Sequence, residues 1–93
     1  MRTIERSTRF KRDYKRELKG KYRATLAADL MPVLIALASD APLDQKHADH
    51  ALSGDWSGYR DCHIKPDLVL IYAKPDDRTL RLARLGSRSE LFG

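Results

Sequence analysis

The sequence predicts an α+β domain: two N-terminal helices packed on a small, mostly antiparallel sheet, in the order β-α-α-β-β-β with a short C-terminal turn or helix. Three observations predict it. Apolar residues recur at helical spacing between Phe10 and Ala38, side chains alternate at strand spacing over residues 58–65, and an unbroken apolar run covers Leu68–Ala73. Gly20, Gly54, Gly58, Pro66, Pro75 and Gly86 punctuate the chain between these segments. With 93 residues, 42% of them hydrophobic, one domain spanning 1–93 is expected around one small core.

Each element has a local reason. Residues 2–6 (RTIER) read as a short strand. Ser7 can cap a helix running to about Lys19, with Phe10, Tyr14 and Leu18 as a narrow buried stripe, and Gly20 ends it. The second helix, Tyr22 to Ala38, carries Leu26, Leu30, Val33, Leu34 and Leu37 on one face. Met31, Ile35 and the alanines widen that face, so this helix is expected to be largely buried. Pro32 inside it should kink the helix or remove one hydrogen bond, unless a new helix starts there. Residues 39–49 read as loop, and 54–58 as a tight turn around Trp56. In the next strand, alternation puts Tyr59, Asp61, His63 and Lys65 on one face, and Arg60, Cys62 and Ile64 on the other. Pro66-Asp67 makes a turn, Leu68–Ala73 a central strand, residues 75–78 (PDDR) a hairpin turn, and Thr79–Leu85 the last strand of a meander. Gly86 breaks that strand, and residues 87–92 close as a tail or one helical turn.

Charge and composition narrow the function. No apolar run approaches the roughly 20 residues of a membrane span, so no membrane partner is expected. The N-terminal stretch lacks a signal-peptide apolar region, and the single Cys62 cannot form an internal disulfide, which fits a cytoplasmic protein. Residues 1–23 hold ten Lys/Arg against three acidic residues; the remainder holds eight against ten. Basicity concentrated on the first helix, through Lys11, Arg12, Lys15, Arg16 and Lys19, points to a polyanion such as nucleic acid, although such a run also serves as a solvated helix face.

The chemistry-bearing stretch is His50–Tyr72, HALSGDWSGYRDCHIKPDLVLIY. Two imidazoles among three carboxylates can move protons near neutral pH. His47, Asp49, His50, Cys62 and His63 match no zinc-ligand spacing, and Cys62 faces away from His63; no metal and no cofactor is expected.

The block GYRDCHI-K-PD and the ending GSRSELFG are similar to the YafQ family of RelE/ParE-superfamily toxins, from type II toxin–antitoxin systems. The similarity spans the chain and is strongest from His50 onward. It implies a RelE-like fold and a ribosome-dependent endoribonuclease that cuts mRNA in the A site without a metal. In that reaction the RNA 2′-hydroxyl attacks its own 3′-phosphate and leaves a 2′,3′-cyclic phosphate. The implied partners are the 70S ribosome with its rRNA and mRNA, a DinJ-like antitoxin, and operator DNA only through the antitoxin complex. The resemblance places His50, Asp61, His63 and Asp67 on functional positions and Phe92 on a base-contacting aromatic. Asp67 or His50 would be the general base, and His63, oriented by Asp61, the proton donor or phosphate contact; the two roles can be exchanged. Arg84 is a candidate phosphate clamp.

One position departs from the family. Its ending is usually GSHSELF, with a catalytic His where this chain has Arg88. An arginine cannot readily donate a proton at neutral pH but can stabilise a phosphorane by a bidentate contact. The fold also supports two other readings: a ParE-like gyrase inhibitor, against which the His/Asp set argues, and a weakly catalytic subunit of the antitoxin–operator complex, which only Arg88 favours. Losing one proton-transfer group costs ~10²–10⁴-fold. Activity is therefore expected to be reduced, and Arg88→His is expected to deepen growth arrest on induced expression; equal or weaker arrest would contradict this.

Overall fold

The computed structural model describes all 93 residues. β1 (Thr3–Arg6) leads into α1 (Thr8–Glu17) and α2 (Leu26–Ala38). A 3-10 turn at Gln45–His47 precedes a two-residue strand, β2 (His50–Ala51), and a second 3-10 turn covers Gly54–Trp56. Then come β3 (Arg60–Lys65), β4 (Leu68–Ala73), β5 (Thr79–Gly86) and α3 (Arg88–Phe92). One sheet is ordered β1-β5-β4-β3-β2, with β1 parallel to β5 and every other pair antiparallel. The α+β class and the β3–β4–β5 meander agree with the sequence expectation. The fifth strand does not: His50 and Ala51 leave the loop to pair with Asp61 and Arg60. Two residues are too few to show a period in sequence.

β4 is buried along its whole length and divides the core. Leu68, Leu70 and Tyr72 face α1 and α2, joining Phe10, Leu26, Leu30, Val33, Leu34 and Leu37. Val69 and Ile71 face the other way and pack with Ala83 and Leu91 of α3, edged by Leu52, Trp56 and Tyr59. α2 is less buried than its composition suggests: Met31 and Ile35 are about half exposed. It also begins at Leu26 rather than Tyr22, with Pro32 inside it. Leu18 lies outside the α1 stripe, at the cap of a helix that ends at Glu17. Gly86 still belongs to β5.

α1 is fastened at both ends. The Ser7 hydroxyl accepts from the Phe10 amide at 2.9 Å and donates to the Ala83 carbonyl at 2.7 Å, so one atom caps the helix and pins it to β5. Near its other end Asp13 is buried, three residues after Phe10 on the inward face. Its carboxylate accepts from Arg84 (2.7 and 3.2 Å), from Arg16 (3.0 Å) and from the Leu85 amide (3.0 Å). Burial would push this carboxyl upward. The hydrogen bonds from Arg84 and Leu85 and the two guanidinium charges outweigh that and hold it below its usual value.

Arg16 carries the connection onward, donating to the Leu85 carbonyl at 2.8 Å and approaching Glu90 of α3 at 3.4 Å. Gly86 makes room for this: a Cβ there would stand 2.8 Å from Arg16 Nη2 and 3.2 Å from Glu90 Oε1. Removing one partner of a buried ion pair strands the others, at about 3–5 kcal/mol. Asp13→Ala is therefore expected to lower the urea midpoint by that amount of stability at unchanged slope. Because the folded carboxyl titrates below the unfolded one, its stabilisation is full above about pH 4 and is lost as pH falls further. The variant's loss of stability relative to the parent should shrink correspondingly in acid.

Candidate active site

The face of the sheet that carries α3 gathers the ionisable residues. β2 pairs with β3 so that His50 stands directly opposite Asp61, and opposed residues in an antiparallel pair project to the same side. α3 approaches from the β5 end. Its capping box fixes it: Ser87 accepts from the Glu90 amide at 3.2 Å, and Glu90 accepts from the Ser87 amide at 2.9 Å. Leu91 is buried, which turns Arg88 toward Asp61 with Nη1 at 3.4 Å from Oδ2. The guanidinium also lies 5.0 Å over the Phe92 ring, and that ring is 39% exposed.

Asp61 is fully buried, whereas His50 and Arg88 are each about half exposed. His50 Nδ1 stands 3.1 Å from Asp61 Oδ1 and 2.9 Å from the Ala48 carbonyl. Its N–H is directed at the carbonyl, so Oδ1 receives an ionic approach but no hydrogen bond from any group. Both neighbours of Nδ1 are acceptors, so the neutral ring carries its proton on Nδ1 and leaves the Nε2 lone pair open. Ala48 sets this up by adopting the left-handed conformation at φ 47°, uncommon outside glycine and asparagine.

The other candidates occupy different surroundings. His63 follows Asp61 by two residues on β3, but its Nδ1 faces the Pro66 carbonyl at 3.1 Å. The expected Asp61–His63 pair is therefore replaced by Asp61 paired with His50 and Arg88. A bulge between His63 and Lys65 breaks the alternation beyond it. Lys65 consequently leaves the expected face and reaches Asp29 of α2 at 2.6 Å.

Asp67 lies in the β3–β4 turn, bonded by Lys21 and by the Tyr22 hydroxyl. The Lys21 hydrogen bond, then that of Tyr22, hold its carboxyl below the usual range, which makes it a weaker base. Arg84 and Arg16 are committed to Asp13. Lys11, Arg12 and Lys15 of α1, and Lys19 just beyond it, are exposed. Burial pushes the Cys62 thiol up to about 12, so it is an inert core residue. No three His, Cys, Asp or Glu side chains cluster closely enough to hold a metal ion. No helix is long and apolar enough to cross a membrane.

Asp13 is not singled out from the sequence, although it has a legible signal, a carboxylate at the i+3 position from Phe10 in the Phe10–Tyr14 stripe. His47, which reads in sequence as an ordinary loop residue, has a structural part: its Nδ1 bonds the His63 carbonyl at 2.7 Å, tying the loop to β3 from the open edge.

Comparison with known proteins places the chain's sequence and fold among one set of relatives. The family described as "Bacterial toxin of type II toxin-antitoxin system, YafQ" matches residues 2–93. The mRNA interferase toxin YafQ of Escherichia coli K12 is 40% identical over 92 residues, 99% of this chain and 97% of the relative. A crystal structure of a copper-bound mutant toxin from Helicobacter pylori superposes with a TM-score of 0.90 at 40% identity, covering 99% of this chain and 100% of that one. The YafQ chain of the E. coli DinJ–YafQ complex does so with a TM-score of 0.85 at 37% identity over 100% of both chains.

The tautomer of His50 is directly measurable. At a pH where the ring is neutral, long-range proton–nitrogen correlation is expected to show a protonated Nδ1 and an unprotonated Nε2. The opposite pattern would remove its suitability as a base at the exposed edge.

Proposed function

Given that the chain belongs to the YafQ family of bacterial type II toxin–antitoxin toxins, we propose that it cuts ribosome-bound mRNA by acid–base transesterification centred on His50. As an mRNA interferase toxin it is an endoribonuclease. The observation that carries the mechanistic reading is the row His50–Asp61–Arg88: an imidazole with its open nitrogen outward, a buried carboxylate behind it, and a guanidinium beside both.

In the proposed reaction His50 Nε2 takes the proton of the 2′-hydroxyl. The freed oxygen attacks the adjacent phosphorus as the P–O5′ bond breaks, leaving a 2′,3′-cyclic phosphate and a 5′-hydroxyl. Asp61 stabilises the imidazolium that forms, the role a buried carboxylate plays behind a histidine base in hydrolytic triads. Arg88 offers a fixed positive charge to the equatorial oxygens of the phosphorane. His63 in its imidazolium form returns a proton to the 5′-oxygen. Its own Nδ1 contact with a carbonyl leaves Nε2 as the donating edge.

The ion-paired state of Asp67 favours His50 over Asp67 as the base and gives Asp67 a supporting part through Lys21 and Tyr22. Phe92 presents an aromatic face on which a splayed nucleotide can stack. The exposed lysines and Arg12 of α1 suit rRNA phosphates, with salt-sensitive affinity. A DinJ-like antitoxin is the expected protein partner, by analogy with the DinJ–YafQ complex of E. coli. Operator DNA would be reached only through that antitoxin.

Primer extension on programmed ribosomes tests this. The parent protein is expected to cut in the A-site codon, and His50→Ala to cut ~10²–10⁴-fold more slowly while still binding ribosomes. If base and acid are the two histidines, the rate should be bell-shaped in pH, with His63→Ala flattening one limb. Full-rate cleavage by His50→Ala would refute the assignment.

A further inference from the structure

The chain buries one carboxylate with every lone pair it needs occupied, and another that is conspicuously under-served. Asp13 receives four hydrogen bonds. Asp61 is equally inaccessible, yet its only partners are one long contact from Arg88 at 3.4 Å and the off-axis approach of His50 at 3.1 Å. A buried carboxylate cannot be left without compensating charge. Whichever of the two neighbours leaves, the other must serve it more fully.

Arg88 is the partner free to leave. It is about half exposed, its contact is single and long, and it sits on a five-residue helix above the Phe92 ring. A phosphate offers it a shorter, bidentate bond. His50 is less free, because the Ala48 carbonyl anchors its ring on β2.

We infer that Asp61 is a positioning residue shared by the base and the phosphate clamp, and that phosphate binding, by drawing Arg88 away, transfers the buried charge to His50. The inference rests on His50 being the base, as proposed above. Arg88 thus acts as a gate. With no phosphate bound, Asp61 is shared between the Arg88 guanidinium and the His50 ring. With phosphate bound, the Asp61 charge is committed to His50 and strengthens it as a proton acceptor at the moment the 2′-hydroxyl arrives. The remaining ionisable groups nearby do not compete for Asp61. Asp49, next to His50 in the chain, accepts from Tyr72 at 2.6 Å and from Arg60 at 3.3 Å, and His63 faces Pro66.

The test follows His50 protonation by imidazole NMR, independently of cleavage, using inorganic phosphate as the probe. Arg88→Gln is expected to raise the pH midpoint of His50, by about one unit if the shared charge is fully transferred, and Asp61→Asn to lower it. Saturating phosphate should raise the midpoint more in the parent protein than in Asp61→Asn, where the phosphate's own charge is all that acts, and leave Arg88→Gln unmoved. The acidic limb of the cleavage pH profile should move with the midpoint in each variant, which a merely structural role for Asp61 would not produce.

A His50 midpoint that is the same in the parent, in Arg88→Gln and with phosphate overturns the inference, and Arg88→Gln decides this even if Asp61→Asn fails to fold. Full-rate cleavage by His50→Ala would overturn instead the assignment of the base. The two failures are therefore distinguishable.

Discussion

The buried carboxylate of Asp13 is the constraint on which the arrangement of this small protein depends. It fixes α1 to β5 through Arg84 and the Leu85 amide, and through Arg16 it reaches the carbonyl of Leu85 and then Glu90 of α3. α1 and α3 lie on opposite faces of the sheet, and no large hydrophobic interface joins them. An ionic path past Gly86, where even a methyl group would collide with Arg16, does so instead. α3, which carries Arg88 and Phe92, is seated on the near face by Leu91 and its capping box, and the Arg16–Glu90 contact adds a link from the far side of the sheet.

The two buried aspartates show how one residue type serves opposite purposes. Around Asp13 the guanidiniums and an amide saturate the carboxylate, and its ionised form is favoured despite burial. Such a group is rigid and contributes to stability. Around Asp61 saturation is withheld: one oxygen lacks any hydrogen bond, and both neighbouring side chains are about half exposed. Unsatisfied buried polarity costs stability, and in native proteins it marks places where a ligand or a moving proton completes the set.

Much of this could be read from the sequence, for identifiable reasons. Ser7 as a cap, the Leu26–Leu37 face of α2 and the doubly buried β4 all follow from local patterns with a fixed period. The side shared by Asp61 and His63 followed from alternation as well. What alternation could not supply was partner choice. Asp61 binds His50 because of β2, a strand two residues long, and Arg88 because Leu91 anchors α3. The bulge after His63, which sends Lys65 to the helix side, leaves no trace in a sequence that continues to look regular. Gly86 read as a strand breaker, whereas its real demand is space for Arg16.

The same partner choices divide the basic residues into two populations. Sequence counting treats Arg16 and Arg84 as equivalent to Lys11, Arg12, Lys15 and Lys19. For a phosphate to recruit Arg84, it would have to displace a bidentate bond to a buried carboxylate and leave Asp13 with only Arg16 and the Leu85 amide, a loss that approaches the about 3–5 kcal/mol of breaking a buried ion pair. An exposed phosphate contact returns less than that. Counterion release, and with it the salt dependence of binding, therefore belongs to the exposed side chains of α1, each free to meet a phosphate at no structural expense. Arg88 falls between the two populations: charged and exposed, but in contact with a carboxylate that has another cation available. Of the arginines near the site, it is the one whose release the fold can absorb, because His50 stands ready on the other side of Asp61.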